Sequence, residues 1–136
     1  MRVRFTPLHE LSPTLSEQLE QFSPYTSPRF IALFEKVGGK AGYLLVEENG
    51  CPIAAVPIVE FGKWPIRRMQ ALVDGLPAPM WISPETKINV EDVRSETVRA
   101  ISCRRYLKAY LTDYDNLFGD ANGTLVPQKT SVIDLV

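Results

Sequence analysis

Apolar and polar side chains alternate with a period of two over residues 2–6, placing Val3 and Phe5 on one side, and this predicts a short, half-buried strand that opens a sheet. The period then lengthens. Ser12-Pro13 reads as a helix start, and Leu15, Leu19 and Phe22 recur at helical spacing over residues 14–22. A second helix is predicted after Thr26-Ser27-Pro28, with Ser27 as cap, Pro28 at the first helical position, and Phe30, Leu33, Phe34 and Val37 as its apolar stripe. Gly38-Gly39 ends it.

Two strand-like runs follow, residues 43–48 and 52–61, separated by Asn49-Gly50. Both of those residues tolerate positive φ, so the pair is a strong hairpin signal. In the second run Ile53, Ala54, Ala55, Val56, Ile58 and Val59 are apolar at successive positions, so this strand is expected to be covered on both faces. Pro57 cannot donate to a ladder, which predicts a bulge or an unpaired position there. After a turn at Gly62-Lys63-Trp64-Pro65, residues 66–73 read as another strand and the proline-containing stretch 74–84 as an ordered rim loop. The longest helix is predicted over residues 90–118, on a stripe of Val93, Thr97, Ala100, Cys103, Leu107, Tyr110, Tyr114 and Leu117. Residues 119–123 stop it, and residues 124–128 and 131–136 read as strands. The fold class expected is α/β (α+β): one domain over residues 1–136, with a mixed, largely antiparallel sheet and helices on both faces.

Composition narrows the function classes. Hydrophobic residues make up 45% and charged residues 23% of the 136 residues, which is the balance of a globular chain. Fifteen Lys plus Arg against 16 Asp plus Glu leave a net charge of −1, so no general field attracts nucleic acid, and no nucleic-acid partner is expected. No apolar run approaches the ~20 residues a bilayer requires, and the N-terminus lacks the apolar middle of a signal peptide. No membrane association and a cytoplasmic location are expected. Cys51 and Cys103 are read as free thiols of a reducing compartment.

No residue set supports catalysis by this chain alone. His9 is the single histidine, so His-assisted nucleophilic catalysis and a metal site are both excluded as expectations. Gly38-Gly39-Lys40-Ala41-Gly42 has the composition of a phosphate loop in reversed geometry, because a helix precedes it and a strand follows. Tyr25, Asp74 and Trp81 are the candidates for substrate contact, since loops held by a rigid sheet often carry binding residues; the favoured alternative is that Tyr25 and Trp81 simply cover core edges. Lys63, Arg67 and Arg68, beside Trp64, are the candidates for anion binding. If residues 66–73 form a strand, Arg67 and Arg68 point to opposite faces and serve as solvated edge charges instead.

The order of these elements resembles the N-terminal half of the FemAB-like branch of the GNAT acyltransferase superfamily. The likeness rests on Ser23-Pro24-Tyr25, Ser27-Pro28-x-Phe30, the run from Tyr43 to Val46, and the run from Gly50 to Pro57. Residues 130–135, Thr-Ser-Val-Ile-Asp-Leu, are similar to the strand that leads into the second half of such proteins. The resemblance implies a GNAT-like fold and, for a full-length relative, transfer of acyl or aminoacyl groups from acyl-CoA or aminoacyl-tRNA to amines. It also implies a donor pyrophosphate held by a loop with the pattern Arg/Gln-x-x-Gly-x-Gly/Ala. That pattern does not occur here. The expectation is therefore a GNAT-like domain that shapes the acceptor side and binds no cofactor by itself, either a fragment of a longer two-half protein or a short product that persists alone, with a C-terminal GNAT-like half or a second copy as partner. The alternatives are a stand-alone binding or dimerisation module and a complete small acetyltransferase using coenzyme A.

Overall fold

The computed structural model describes residues 1–63, 65–70, 80–104, 106 and 108–110. Strand β1 (Arg2–Pro7) pairs antiparallel with β2 (Lys40–Glu48), which pairs antiparallel with β3 (Cys51–Phe61). Asn49 at φ 51° and Gly50 at φ 80° make the turn between β2 and β3, the left-handed pair that matches strand twist in a two-residue hairpin. β4 (Arg68–Gln70) and β5 (Trp81–Ile82) both pair antiparallel with β3, and β6 (Lys108–Tyr110) pairs parallel with β4. The sheet order is β1-β2-β3-β4-β6, with β5 beside β3, so the sheet is mixed and largely antiparallel as expected.

Helices cover both faces, and β3 is the reason. Its odd positions Ala55 and Val59 pack with Ala41, Tyr43, Leu45 and Trp81 beneath α1 (Pro13–Phe22) and α2 (Pro28–Ile31), which contribute Leu15, Leu19 and Ile31. Its even positions Ala54, Val56 and Ile58 pack with Leu44, Val46, Met69 and Met80 against Val93 of α3 (Val90–Cys103). A run apolar at successive positions thus divides its side chains between two cores.

The helix starts follow their caps. Ser12 Oγ accepts from Leu15 N, and Ser27 Oγ accepts from Phe30 N, each with proline at the next position. α2 tightens after one turn into a 3-10 helix over Ala32–Val37, ended by Gly38. That tightening corrects the expected stripe: with fewer residues per turn, Ile31 takes the buried position while Leu33 and Val37 face solvent. The buried Tyr43 hydroxyl donates to the carbonyl of Thr26 at 2.5 Å and fastens this helical layer to the sheet. Burial first, and the charge of Glu20 second, raise the Tyr43 pKa well above the ordinary phenol range.

Two further expectations change, and the one for Pro57 is met by its second alternative. Pro57 causes no bulge, since it stands opposite Tyr43 in unbroken register and the register shift falls between Val46 and Glu47, but it is unpaired on its other edge among the described residues. On the other edge of β3 the described partners meet only Ala54 and Ala55 (β5) and positions from Val59 onward (β4), so the missing N–H at Pro57 costs no ladder bond there. The rim loop expected over residues 74–84 contains β5. The helix expected over residues 90–118 ends at Cys103, and the chain turns at Arg104 to place Lys108–Tyr110 beside β4. Its buried face is Val93 and Thr97, with Ile101 packed against the core, while Cys103 is exposed. Residues 71–73 of the expected strand, residue 64, and everything expected beyond residue 110 lie outside the described residues.

Candidate functional site

Two groups of interacting polar side chains lie one at each end of α3. At the helix start, Asn89 Oδ1 accepts from Glu91 N at 3.1 Å, and Glu91 and Asp92 lie in the first turn. Both features complement the positive end of the helix dipole. Arg94 closes on Glu91 at 3.2 Å, one turn further along.

At the far end a buried carboxylate organises the chemistry. Glu60 is the last even position of β3, and its side chain is 5% exposed on the face covered by α3. An unpaired carboxylate there would be strongly disfavoured, so partners converge on it. Arg104, which caps α3, donates from Nε at 3.0 Å and from Nη2 at 2.5 Å to Glu60 Oε1. The Tyr106 hydroxyl donates to the same oxygen and accepts from Arg104 Nε at 2.7 Å. Burial alone would lower the Arg104 pKa, but its hydrogen bonds to Tyr106 and Glu60 more than offset that and raise it. Burial raises the Tyr106 phenol above its ordinary range, Glu60 adds to the rise, and Arg104 opposes it. The result is a neutral phenol and a charged guanidinium held on one carboxylate oxygen.

Two more cations border this triad. Arg67 Nη2 donates to the Arg104 carbonyl at 2.5 Å, and its guanidinium lies 4.9 Å from the centroid of the Tyr106 ring. The Arg67 Nε is buried with no hydrogen-bond partner. Lys40, exposed at the start of β2, holds Nζ 5.0 Å from the centroid of the Phe5 ring, and Arg104 stands 5.1 Å from the same centroid. Phe5 can lie across β2 because its neighbour is Gly42: a Cβ there would fall 2.7 Å from Phe5 Cζ and 2.4 Å from the Thr6 carbonyl oxygen.

The structure separates the residues singled out from sequence. Trp81 stands opposite Ala55, only 4% exposed, with its ring committed to the core. Tyr25 is at the surface of the helical layer, edge-on to Phe30 at 5.6 Å between centroids. Asp74 lies outside the described residues. Lys63 is exposed in the turn after β3. Arg68 turns away from Arg67 and stacks 5.2 Å from the Phe61 centroid, so the two neighbours do not share a ligand. Lys40, Glu60, Arg104 and Tyr106 were missed. One signal was available: Glu60 interrupts a run already read as buried on both faces, and a carboxylate in such a place requires cationic partners.

The chain matches no protein-family model, and no curated protein matches it in sequence. Solved structures do share its architecture. A ribosomal-protein-alanine N-acetyltransferase from Brucella melitensis biovar Abortus 2308 superposes with a TM-score of 0.53 at 12% identity, over 99% of this chain and 100% of that one. A protein from Agrobacterium tumefaciens str. C58, assigned as an acetyltransferase, gives the same TM-score and identity over 98% of this chain and 100% of its own. At this identity the likeness establishes the fold, which is that of the GNAT acetyltransferases.

Proposed function

We propose that this chain is a GNAT-like domain of a FemAB-like N-acyltransferase, shaping the acceptor side of the site and leaving the acyl donor to a second GNAT-like unit. The observation that carries the reading is the start of α3. A donor pyrophosphate needs free backbone amides and little negative charge nearby. Here Asn89 occupies the Glu91 amide, Glu91 and Asp92 add two carboxylates, Pro84 has no N–H to offer, and no glycine occurs between residues 80 and 104. These residues do not fit a pyrophosphate, so no step of acyl transfer is assigned to this helix end. Acyl-CoA or aminoacyl-tRNA would be held by the second unit, and the amine acceptor would meet the present domain at its loops.

Calorimetric titration of the chain with acetyl-coenzyme A tests this directly. No saturable heat is expected, and stoichiometric binding would overturn the proposal in favour of a complete small acetyltransferase. A second reading, a dimerising module, is favoured by β1, which has β2 as its one strand partner among the described residues and so leaves an edge open to another copy. Sedimentation equilibrium separates the two: a self-associating chain supports the module, and a strict monomer removes it.

A further inference from the structure

We infer that Lys40, Arg67 and Arg104 form a binding site for an oxyanion, the carboxylate or phosphate group of a ligand, at the C-terminal end of α3. The three cations share two aromatic neighbours. Lys40 and Arg104 each lie about 5 Å from the centroid of Phe5, and Arg104 and Arg67 lie 5.7 Å and 4.9 Å from that of Tyr106. Lys40 and Arg104 are therefore no farther apart than their two distances to Phe5 laid end to end. Three like charges gathered this closely repel one another unless anions balance them. Among the described residues of this cluster Glu60 is the one carboxylate, and it directs a single oxygen to Arg104 and Tyr106.

The helix end offsets only part of the excess. The C-terminal carbonyls of α3 contribute about half a negative charge, and the Arg104 carbonyl already accepts from Arg67. Among the described residues a net positive charge remains, in a chain whose overall charge is −1. Access remains too, since Lys40 is exposed and the Arg104 side chain is 28% exposed. Rings beside the cations leave a partly dry surface, where a charge-assisted hydrogen bond to a ligand oxygen is strong.

The site is distinct from any place for an acyl-donor pyrophosphate. The 14 residues of α3 separate the cluster from the acidic helix start by roughly 20 Å at the usual helical rise. It also stands apart from the acyl-transfer reading: because coenzyme A carries phosphates, heat in the coenzyme A titration that is lost in Lys40→Gln belongs to this site, and heat that persists in that variant belongs to an acyl-donor site.

The test is a nuclear magnetic resonance titration of the isotopically labelled full chain with inorganic phosphate and, separately, with acetate, at constant ionic strength. Saturable shifts are expected at the Nε–H signals of Arg67 and Arg104 and at the Lys40 amide. Saturation by phosphate alone identifies a phosphoryl ligand, by acetate alone a carboxylate ligand, and by both a general oxyanion site. Lys40→Gln is expected to weaken binding about tenfold, as loss of one charge-assisted contact does; Lys40 stands opposite Glu60 in the strand register, while the hydrogen bonds of Glu60 come from Arg104 and Tyr106. Arg67→Gln is expected to abolish saturation. Shifts that never saturate with either anion, or that persist unchanged in Lys40→Gln, would overturn the proposal. Lys40→Gln keeps the test decisive even if Arg67→Gln does not fold.

Discussion

The two ends of α3 satisfy the same physical demand in opposite ways. At the start, three short polar side chains, Asn89, Glu91 and Asp92, complement the helix dipole from within a single turn. At the finish the cations Arg67, beside β4, and Arg104 do so, and Arg104 is held with Tyr106 on Glu60 of β3 through bonds that span 44 and 46 residues. The first arrangement is local, exposed and inexpensive to alter. The second ties three elements together around a buried charge, so its loss costs more. The difference also sets what each end can recognise. The helix start has an amide taken up by Asn89 and its field by Glu91 and Asp92, whereas among the described residues the helix end keeps more cations than anions.

Removing Glu60 should break this contrast most severely. Glu60→Ala strands Arg104 and Tyr106 at a covered site, and urea unfolding should show a loss of about 3–5 kcal/mol, the usual cost of breaking a buried pair. A loss below about 1 kcal/mol, the range of exposed pairs, would mean that the cluster is no more than a surface contact. Tyr106→Phe should cost less, about 1.5–3 kcal/mol, as expected for a hydrogen bond to a charged group.

Tyr106→Phe also carries a pH signature. The folded-state pKa of Tyr106 is raised above the unfolded value near 10, so its contribution is fully present below about pH 10 and declines as pH rises through the folded value. The natural chain should therefore lose stability progressively above about pH 10, and Tyr106→Phe should make that loss shallower. Tyr43, raised by burial, supplies the part that remains. Phenolate absorbance followed through an alkaline titration checks both. The smallest effect belongs to the helix start: Asn89→Ala should cost about 1 kcal/mol in thermal or urea unfolding. Were it to equal Glu60→Ala, the distinction between a local and a long-range end would collapse.

Much of the fold was legible because its signals are local. Asn49-Gly50 demands a left-handed turn, Ser12-Pro13 and Ser27-Pro28 cap helices through their nearest neighbours, and a run apolar at every position admits only a strand covered twice. The candidate site was legible only in fragments. Arg67 was singled out with Lys63 and Arg68, but the sheet sends Arg68 to Phe61 and Arg67 to Tyr106, and the cations that join it, Lys40 and Arg104, lie 27 and 37 residues away in sequence. Trp81 was read from its loop-like surroundings, yet two ladder positions on β3 were enough to bury it.

Periodicity and cap chemistry by themselves determined the hairpin, the first helix, the start of the second, the double covering of β3 and the start of α3, since each depends on residues a few positions apart. The end of α3 was decided by tertiary structure alone. Helical spacing continues past Cys103 in the sequence, but the buried carboxylate of Glu60 draws Arg104 and Tyr106 to itself and the free edge of β4 takes Lys108–Tyr110 as a parallel neighbour. A buried charge and an open strand edge outweigh intrinsic helical preference, and neither can be read from the residues that respond to them.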